Sequence, residues 1–126
     1  PKLCSGAWRM RLIIADILSG EATAALRQRL IEAPWTDGRG TSGAGAGAVK
    51  LNRQLDPASE LAREAGRIVE QALSRHPQFL AAVLPARLST PLFNRYGPGE
   101  AYGRHVDNAL RSEAPGGARM RTDLSA

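Results

Sequence analysis

The sequence contains one cysteine, two histidines and no long apolar run. The single thiol, Cys4, excludes a disulfide within the chain and a cysteine-based metal site, which fits a reducing compartment. No stretch approaches the roughly 20 consecutive apolar residues of a membrane-spanning helix. The residues before Met10 also lack the apolar region of a secretory signal. We therefore expect a cytoplasmic protein without a membrane partner.

Aromatic residues are also scarce, at 5%, and they do not accompany the basic residues. The 17 lysines and arginines outnumber the 12 aspartates and glutamates and give a net charge of +5, but the arginines are scattered along the chain. A nucleic-acid-binding surface concentrates such charge on one face. A nucleic-acid-binding module therefore stays an alternative that rests on charge alone.

Hydrophobic periodicity and capping residues predict the order of elements. We expect a buried strand at 11–16, a helix at 21–33 capped by Ser19, a loop at 35–48, a strand at 49–55, a helix from Asp56–Pro57 to about Ser74, a short helix at 78–84, and strands within 88–97, at 102–107 and from 119. This order gives helices in the first two-thirds of the chain and sheet in the last third.

The strand at 49–55 alternates apolar and polar residues. Val49, Leu51 and Leu55 would form its buried face, and Lys50, Asn52 and Gln54 would take the other face, which we interpret as a candidate substrate-facing surface.

The glycine-rich segment and one histidine are not predicted to carry chemistry. GTSGAGAGAVK does not match G-x-x-x-x-G-K-[ST], GAGAG lacks the third glycine of a dinucleotide fingerprint, and a strand is expected to follow. We interpret the segment as a surface loop that could close over a site. His76 lies between a helix end and a proline, where an imidazole can bind the last carbonyls and interact with the dipole.

His105 and Asp107 form the candidate metal site. Positions i and i+2 of a strand point to the same face, so both side chains could reach one ion. Imidazole and carboxylate are the ligand types of the 2-His-1-carboxylate triad of non-heme iron(II) oxygenases.

A longer pattern surrounds this pair. Two tyrosines precede it, with glycines between them, in the order Tyr96-x-x-Gly99-x-x-Tyr102-x-x-His105-x-Asp107. The stretch resembles the metal-binding strand of the prolyl 4-hydroxylase-like Fe(II)/2-oxoglutarate-dependent oxygenases. LSTPLFNRYGPGEAYGRHVDNALRS and MRTDLSA are similar to one bacterial branch, the PKHD-type hydroxylases. A Trp-x-Asp-Gly run, the glycine loop and a Val-Lys-x-Asn-x-Gln run extend the resemblance to roughly residues 10–126.

The resemblance implies an α+β fold in which N-terminal helices pack on a double-stranded β-helix, or jelly-roll, that is incomplete in this chain. It implies that His105 and Asp107 bind Fe(II), and that Tyr96 and Tyr102 line the 2-oxoglutarate pocket, with Tyr96 the better hydrogen-bond donor. The implied reaction hydroxylates a protein, peptide or small-molecule substrate while 2-oxoglutarate and oxygen yield succinate and carbon dioxide. L-ascorbate keeps the iron reduced in such enzymes.

The sequence departs from the family in one respect. The family's second histidine and the basic residue that binds 2-oxoglutarate both follow the strand that begins RTDLSA, and no histidine follows His105 here. We therefore expect the third metal ligand to lie beyond Ala126, outside this chain.

This departure sets the expected domain organisation. Residues 10–126 would be the N-terminal part of one oxygenase domain that ends inside the barrel, and residues 1–9 would be upstream or non-native. We expect no turnover from the 126-residue chain alone. A non-catalytic relative that acts as a binding or homo-oligomerisation module is the alternative.

Overall fold

The computed structural model of the chain describes residues 12–41, 50–104, 109–112 and 119–123. These ranges contain three α-helices, one 3-10 turn and seven short strands. In chain order they are α1 (Gly20–Ile31), β1 (Trp35–Asp37), the 3-10 turn (Gly38–Thr41), β2 (Lys50–Leu51), β3 (Arg53–Leu55), α2 (Glu60–Arg75), α3 (Pro77–Val83), β4 (Asn94–Arg95), β5 (Ala101–Tyr102), β6 (Leu110–Ser112) and β7 (Arg119–Arg121).

The strands of the described ranges form three small antiparallel sheets. β3 lies between β1 and β4 in the first sheet, β2 pairs with β5 in the second, and β6 pairs with β7 in the third. Helices with antiparallel sheets confirm the α+β class. The sheets do not close into a barrel within the described residues, and the jelly-roll stays a prediction.

The predicted first helix is confirmed as α1. Ser19 is its N-cap, and Ser19 Oγ accepts a hydrogen bond from Ala22 N at 3.2 Å. Leu26 is buried, while Ala22 and Leu30 are half-buried on the same side of the helix. The helix ends at Ile31, earlier than the sequence predicts.

α2 begins about one turn later than predicted. Asp56 lies in a turn, where its Oδ1 accepts a hydrogen bond from Ala58 N at 2.9 Å. Ser59 is the N-cap, and its Oγ accepts from Ala62 N at 3.1 Å. Because Asp56 O also accepts from Ser59 N and Ser59 Oγ, at 3.0 and 2.7 Å, the aspartate organises the turn that leads into the helix instead of capping it.

His76 has a structural role, but at the other helix terminus from the one predicted. Its Nδ1 accepts a hydrogen bond from Phe79 N at 3.3 Å, so the imidazole caps the beginning of α3. Only the backbone N–H of His76 contacts the end of α2, through Leu73 O at 3.2 Å.

One ion pair joins α1 to α2. Arg29 Nη1 and Nη2 donate to Glu64 Oε1 and Oε2 at 2.7 and 2.6 Å. The hydrogen bond from Arg29 is the main cause that lowers the pKa of Glu64. Because the two side chains are 46% and 40% exposed, the pair contributes only modestly to stability.

The first sheet is attached to α1 through its tryptophan. Trp35 Nε1 donates to Leu30 O at 2.9 Å, near the end of α1. Trp35 lies opposite Leu55, which is 1% exposed and is the largest fully buried side chain among the described residues. Within the described ranges the buried apolar residues are Leu26, Leu55, Ala62, Ala65 and Phe79.

The strand predicted at 11–16 is absent from its described part, 12–16. Leu12 and Ile13 are 55% and 71% exposed, so no face of this run is buried. Asp16 has a φ of 58°, which an extended strand cannot accommodate. A short apolar run forms a strand only where a neighbouring strand pairs with it.

Two further predictions of secondary structure are corrected. Trp35–Asp37 begins the predicted loop but forms β1, because it pairs with Arg53–Leu55. β1 is therefore a strand of the first half of the chain that the sequence did not predict. Within 88–97 only Asn94–Arg95 is a strand, whereas the strand predicted from 119 is confirmed by β7.

None of the helices in the described ranges combines the length and the apolar character needed to span a bilayer.

Gly66→Ala should stabilise the chain. Gly66 is buried inside α2, and a Cβ built there would meet Thr90 Cγ2 at 3.6 Å and Pro91 Cδ at 3.7 Å, which is ordinary contact. The lower conformational freedom of alanine in the unfolded chain should raise the free energy of unfolding by about 0.5–1 kcal/mol. Thermal unfolding measures this. Ala72→Gly, the reverse change in the same helix, should lower the Tm, and a lower Tm for Gly66→Ala would contradict the packing described.

Glu64→Gln should lower the Tm at neutral pH and have little effect in acid. The folded-state pKa of Glu64 is lowered from 4.5, so its pairing stabilises the fold above that value and is lost as the pH falls through the lowered value. Thermal unfolding from pH 7 downward should therefore show a difference from wild type that shrinks below pH 4.5. Glu70→Gln changes the same charge on the same helix and is the control. A Tm difference between Glu64→Gln and wild type that is constant with pH would contradict the role given to this ion pair.

Candidate functional site

A row of buried polar side chains lies along β2 and β3. Lys50, Asn52 and Gln54 are only 7%, 4% and 2% exposed, and their alternate positions put them on one face, here called the polar face. Leu51, on the opposite face, is 57% exposed. The predicted alternation of apolar and polar residues is correct. The predicted burial of the leucine face is wrong at Leu51 and right at Leu55, and the polar face is buried instead.

One chain segment runs antiparallel along β2 and β3, first as β4 and then as β5. Arg53 pairs with Arg95, whereas Leu51, two residues earlier, pairs with Ala101. Four residues, Gly97–Glu100, therefore loop out between the two ladders. The looped residues belong to the glycine-containing spacer of the sequence pattern.

The looped residues form a tight turn with its own hydrogen bonds. Glu100 N donates to Gly97 O at 3.0 Å, and Gly97 N donates to Glu100 Oε2 at 2.6 Å. Gly99 has a φ of 77°, in the region that favours glycine. Arg53 Nε lies 3.7 Å from Glu100 Oε1 and ties the turn to β3.

The two tyrosines predicted to bind 2-oxoglutarate flank this turn. Tyr102 is half-buried and lies opposite Lys50, whose Nζ is 5.4 Å from the centre of the tyrosine ring. Tyr96 comes two residues after Asn94, which pairs with Gln54 on the polar face. Tyr96 is 48% exposed, so it lies at the rim of this face while Tyr102 lies within it.

Asn52 is held by its neighbours on the polar face. Its Nδ2 donates to Asn94 Oδ1 at 3.0 Å, and its backbone oxygen accepts from Gly38 N at 3.0 Å. A Cβ at Gly38 would overlap Asn52 Oδ1, so only glycine allows this approach. Asn52 Oδ1 itself is buried and has no hydrogen-bond partner in the described structure.

The Trp-x-Asp-Gly run supports the polar face from β1. Thr36 Oγ1 donates to Gln54 O at 3.0 Å. Asp37 Oδ1 accepts from Arg39 N at 2.9 Å and also contacts the Arg39 guanidinium. These bonds lower the pKa of Asp37 to about 2, with a smaller electrostatic contribution from Lys50. Asp37 is therefore a turn-forming carboxylate bound to arginine.

A cleft of about 270 Å³ opens beside β1 and β3. Its charged lining residues are Asp37, Arg53 and Glu100. Each of them has a partner of opposite charge, since Asp37 pairs with Arg39 and Arg53 lies 3.7 Å from Glu100.

The predicted metal ligands His105 and Asp107 lie outside the described residues, and their assignment stays a prediction. Of the predicted strand at 102–107, residues 102–104 are described, and among these only Tyr102 belongs to a strand. Ala126, beyond which the third ligand is predicted to lie, is also outside the described residues, so this expectation stays a prediction too. Elsewhere in the described ranges, no three histidine, cysteine, aspartate or glutamate side chains come together as a metal site would require.

A scan against models of protein families finds no match. Individual proteins do match. The chain is 50% identical over 113 residues to a PKHD-type hydroxylase of Klebsiella pneumoniae (strain 342), covering 90% of this chain and 50% of that protein. It is 47% identical over 117 residues to a PKHD-type hydroxylase of Phenylobacterium zucineum, covering 93% and 52%. A PKHD-type hydroxylase of Caulobacter sp. (strain K31) is 47% identical over 116 residues, covering 92% and 51%.

The chain is a relative of the PKHD-type hydroxylases. The resemblance seen in its motifs is therefore confirmed over about nine-tenths of its length. The chain spans about half the length of the PKHD-type hydroxylases that it matches.

Gly99→Ala should destabilise the turn without any steric clash. A Cβ at Gly99 would meet nothing within 4 Å, so the effect comes only from the φ of 77°. We expect a loss of about 1 kcal/mol in the free energy of unfolding. Gly20→Ala is the matched control, since Gly20 also has open space around it but no positive φ. Equal Tm values for the two variants would contradict the turn geometry.

Proposed function

We propose that this chain carries part of the active site of an Fe(II)- and 2-oxoglutarate-dependent hydroxylase. The similarity to PKHD-type hydroxylases carries the proposal. In the proposed site His105 and Asp107 bind the iron, and Tyr96 and Tyr102 line the 2-oxoglutarate pocket. The reaction would hydroxylate a second substrate, and L-ascorbate would maintain ferrous iron.

The described residues fit a dicarboxylate co-substrate. Lys50 carries a positive charge and Tyr102 a phenolic hydroxyl on one partly enclosed face. When bound, the iron supplies the oxidising chemistry. The polar face would exclude bulk water and orient the ligand, and Tyr96 at its rim would donate a hydrogen bond to the co-substrate.

The jelly-roll is part of this proposal. A sheet with a buried polar face and α-helices nearby fits a barrel wall, in which one face lines a polar interior. The tyrosine spacing supports the same arrangement, because Tyr102 lies on the polar face only three residues before His105.

A metal titration of the chain tests the proposal. Co(II), used in place of Fe(II), should bind with an absorption spectrum that His105→Ala and Asp107→Ala each change. We expect each variant to bind at least about tenfold more weakly, because imidazole and carboxylate are direct ligands.

His76→Asn and Asp123→Asn are the matched controls. Asparagine is also a good N-cap, so α3 should keep its capping residue in His76→Asn. Asp123 is an exposed carboxylate that pairs with Arg121 at 2.7 Å. Both controls should bind Co(II) as wild type does. If the four variants behave alike, His105 and Asp107 are not ligands, and a non-catalytic binding module becomes the better account of the chain.

A further inference from the structure

A row of charged residues crosses the first sheet on the side away from the polar face. Asp37, Arg53 and Arg95 lie directly opposite one another on β1, β3 and β4, so their side chains share one face, here called the outer face. All three residues are exposed. Leu51 precedes Arg53 by two residues, on the same side, and is 57% exposed. The outer face therefore combines charged groups with an exposed apolar side chain.

Arg53 and Arg95 are like charges at directly opposite positions of an antiparallel pair. Such a pair destabilises a sheet. Glu100 is the acid that pairs with Arg53, but its Oε1 lies 3.7 Å from Arg53 Nε, which is longer than a hydrogen bond. No carboxylate among the described residues forms an ion pair with Arg95. The two arginines therefore share one distant counter-charge in the part of the chain that the structure describes.

The acids near the arginine pair are held by other groups. Asp37 binds the Arg39 guanidinium, and Glu100 Oε2 accepts a hydrogen bond from Gly97 N at 2.6 Å within the turn. These two carboxylates would repel the closely spaced phosphates of a nucleic acid. A single carboxylate, by contrast, can bind both guanidinium groups without approaching the two acids.

The cleft of about 270 Å³ lies beside the arginine pair, and Trp35, Leu51 and Arg53 are among the residues that line it. Trp35 is half-buried and Leu51 is exposed, so the cleft can take an apolar side chain. Residues two apart on an extended strand are separated by about 6.6 Å. An extended peptide with an acidic and an apolar residue two positions apart therefore matches the spacing of Arg53 and Leu51.

We propose that the outer face docks an extended acidic segment of a partner polypeptide. A glutamate or aspartate of the segment binds between Arg53 and Arg95 and supplies the counter-charge, and an apolar residue two positions away enters the cleft beside Leu51. The outer face lies on the other side of the strands from the polar face. The docking surface is therefore separate from the proposed 2-oxoglutarate site and does not rest on the proposed function.

Fluorescence anisotropy on the 126-residue chain, with a dye-labelled peptide centred on Glu-Ser-Leu, tests the inference. The peptide should bind, and its affinity should fall at high salt, because the arginines are exposed. Peptides centred on Gln-Ser-Leu and on Glu-Ser-Ser should each bind about fivefold more weakly or worse, since each lacks one of the two contacts.

Arg95→Gln should weaken binding of the Glu-Ser-Leu peptide about fivefold or more. It should leave the Tm unchanged or raise it, because it removes one of two opposed like charges. A loss of affinity would then not reflect a loss of fold. Arg63→Gln is the matched control, since it removes the same charge from an exposed position on α2 and should bind the peptide as wild type does.

The inference is overturned if the Glu-Ser-Leu peptide does not bind, if the Gln-Ser-Leu peptide binds equally tightly, or if Arg95→Gln and Arg63→Gln have the same effect on binding. A lower Tm for Arg95→Gln than for Arg63→Gln would give the arginine pair a structural role and overturn it as well. Labelled oligo(dT) is the nucleic-acid probe. Tighter binding of oligo(dT) than of the peptide, lost in Arg95→Gln, would replace the acidic peptide with a nucleic acid.

Discussion

The burial of a polar face is the constraint on which the rest of the described structure depends. Three alternate side chains along β2 and β3, Lys50, Asn52 and Gln54, are withdrawn from water. Each polar group among them needs a hydrogen bond or a compensating contact. That need accounts for the neighbours found there: the amide of Asn94 against Asn52 and the ring of Tyr102 against Lys50.

The turn at Gly97–Glu100 determines which face of the sheet Tyr102 occupies. Side chains of a strand alternate between faces with a period of two residues. An insertion with an odd number of residues would turn Tyr102 to the face of Leu51, away from Lys50. The four inserted residues are an even number, so Tyr102 stays on the polar face. The glycines of the pattern matter because they build this turn, and Gly99 does so with a positive φ.

Local signals were predicted well where a single residue decides the structure. Ser19 caps α1 as expected, because its hydroxyl directly precedes the helical run and can accept a hydrogen bond from a backbone N–H of the first turn. Asp56–Pro57 was an equally good local signal, yet Ser59 caps α2. The Asp56 side chain instead accepts a hydrogen bond in the turn that precedes the helix. The difference between the two helices lies in the preceding chain, which a single capping motif does not describe.

The burial of the polar face could not be predicted, for a physical reason. Alternation shows that a strand has two different faces, but which face is buried depends on what covers each of them. Hydropathy favours the leucine face, and at Leu55 it is right, since Leu55 lies opposite Trp35. At Leu51 it fails. The informative signal was the pattern Lys-x-Asn-x-Gln itself, because three polar side chains at alternate positions fit a face that surrounds a ligand.

The same face also distinguishes a functional role from a purely structural one. Well-packed apolar residues in place of a buried polar network often stabilise a protein or leave its stability unchanged. A fold that needed these positions only for packing would therefore gain nothing from a lysine and two amides. Their presence beside Tyr102, three residues before His105, is consistent with selection for binding. Asn52 Oδ1 agrees with this interpretation, because a buried acceptor that receives no hydrogen bond from the described residues needs a donor from water or a ligand.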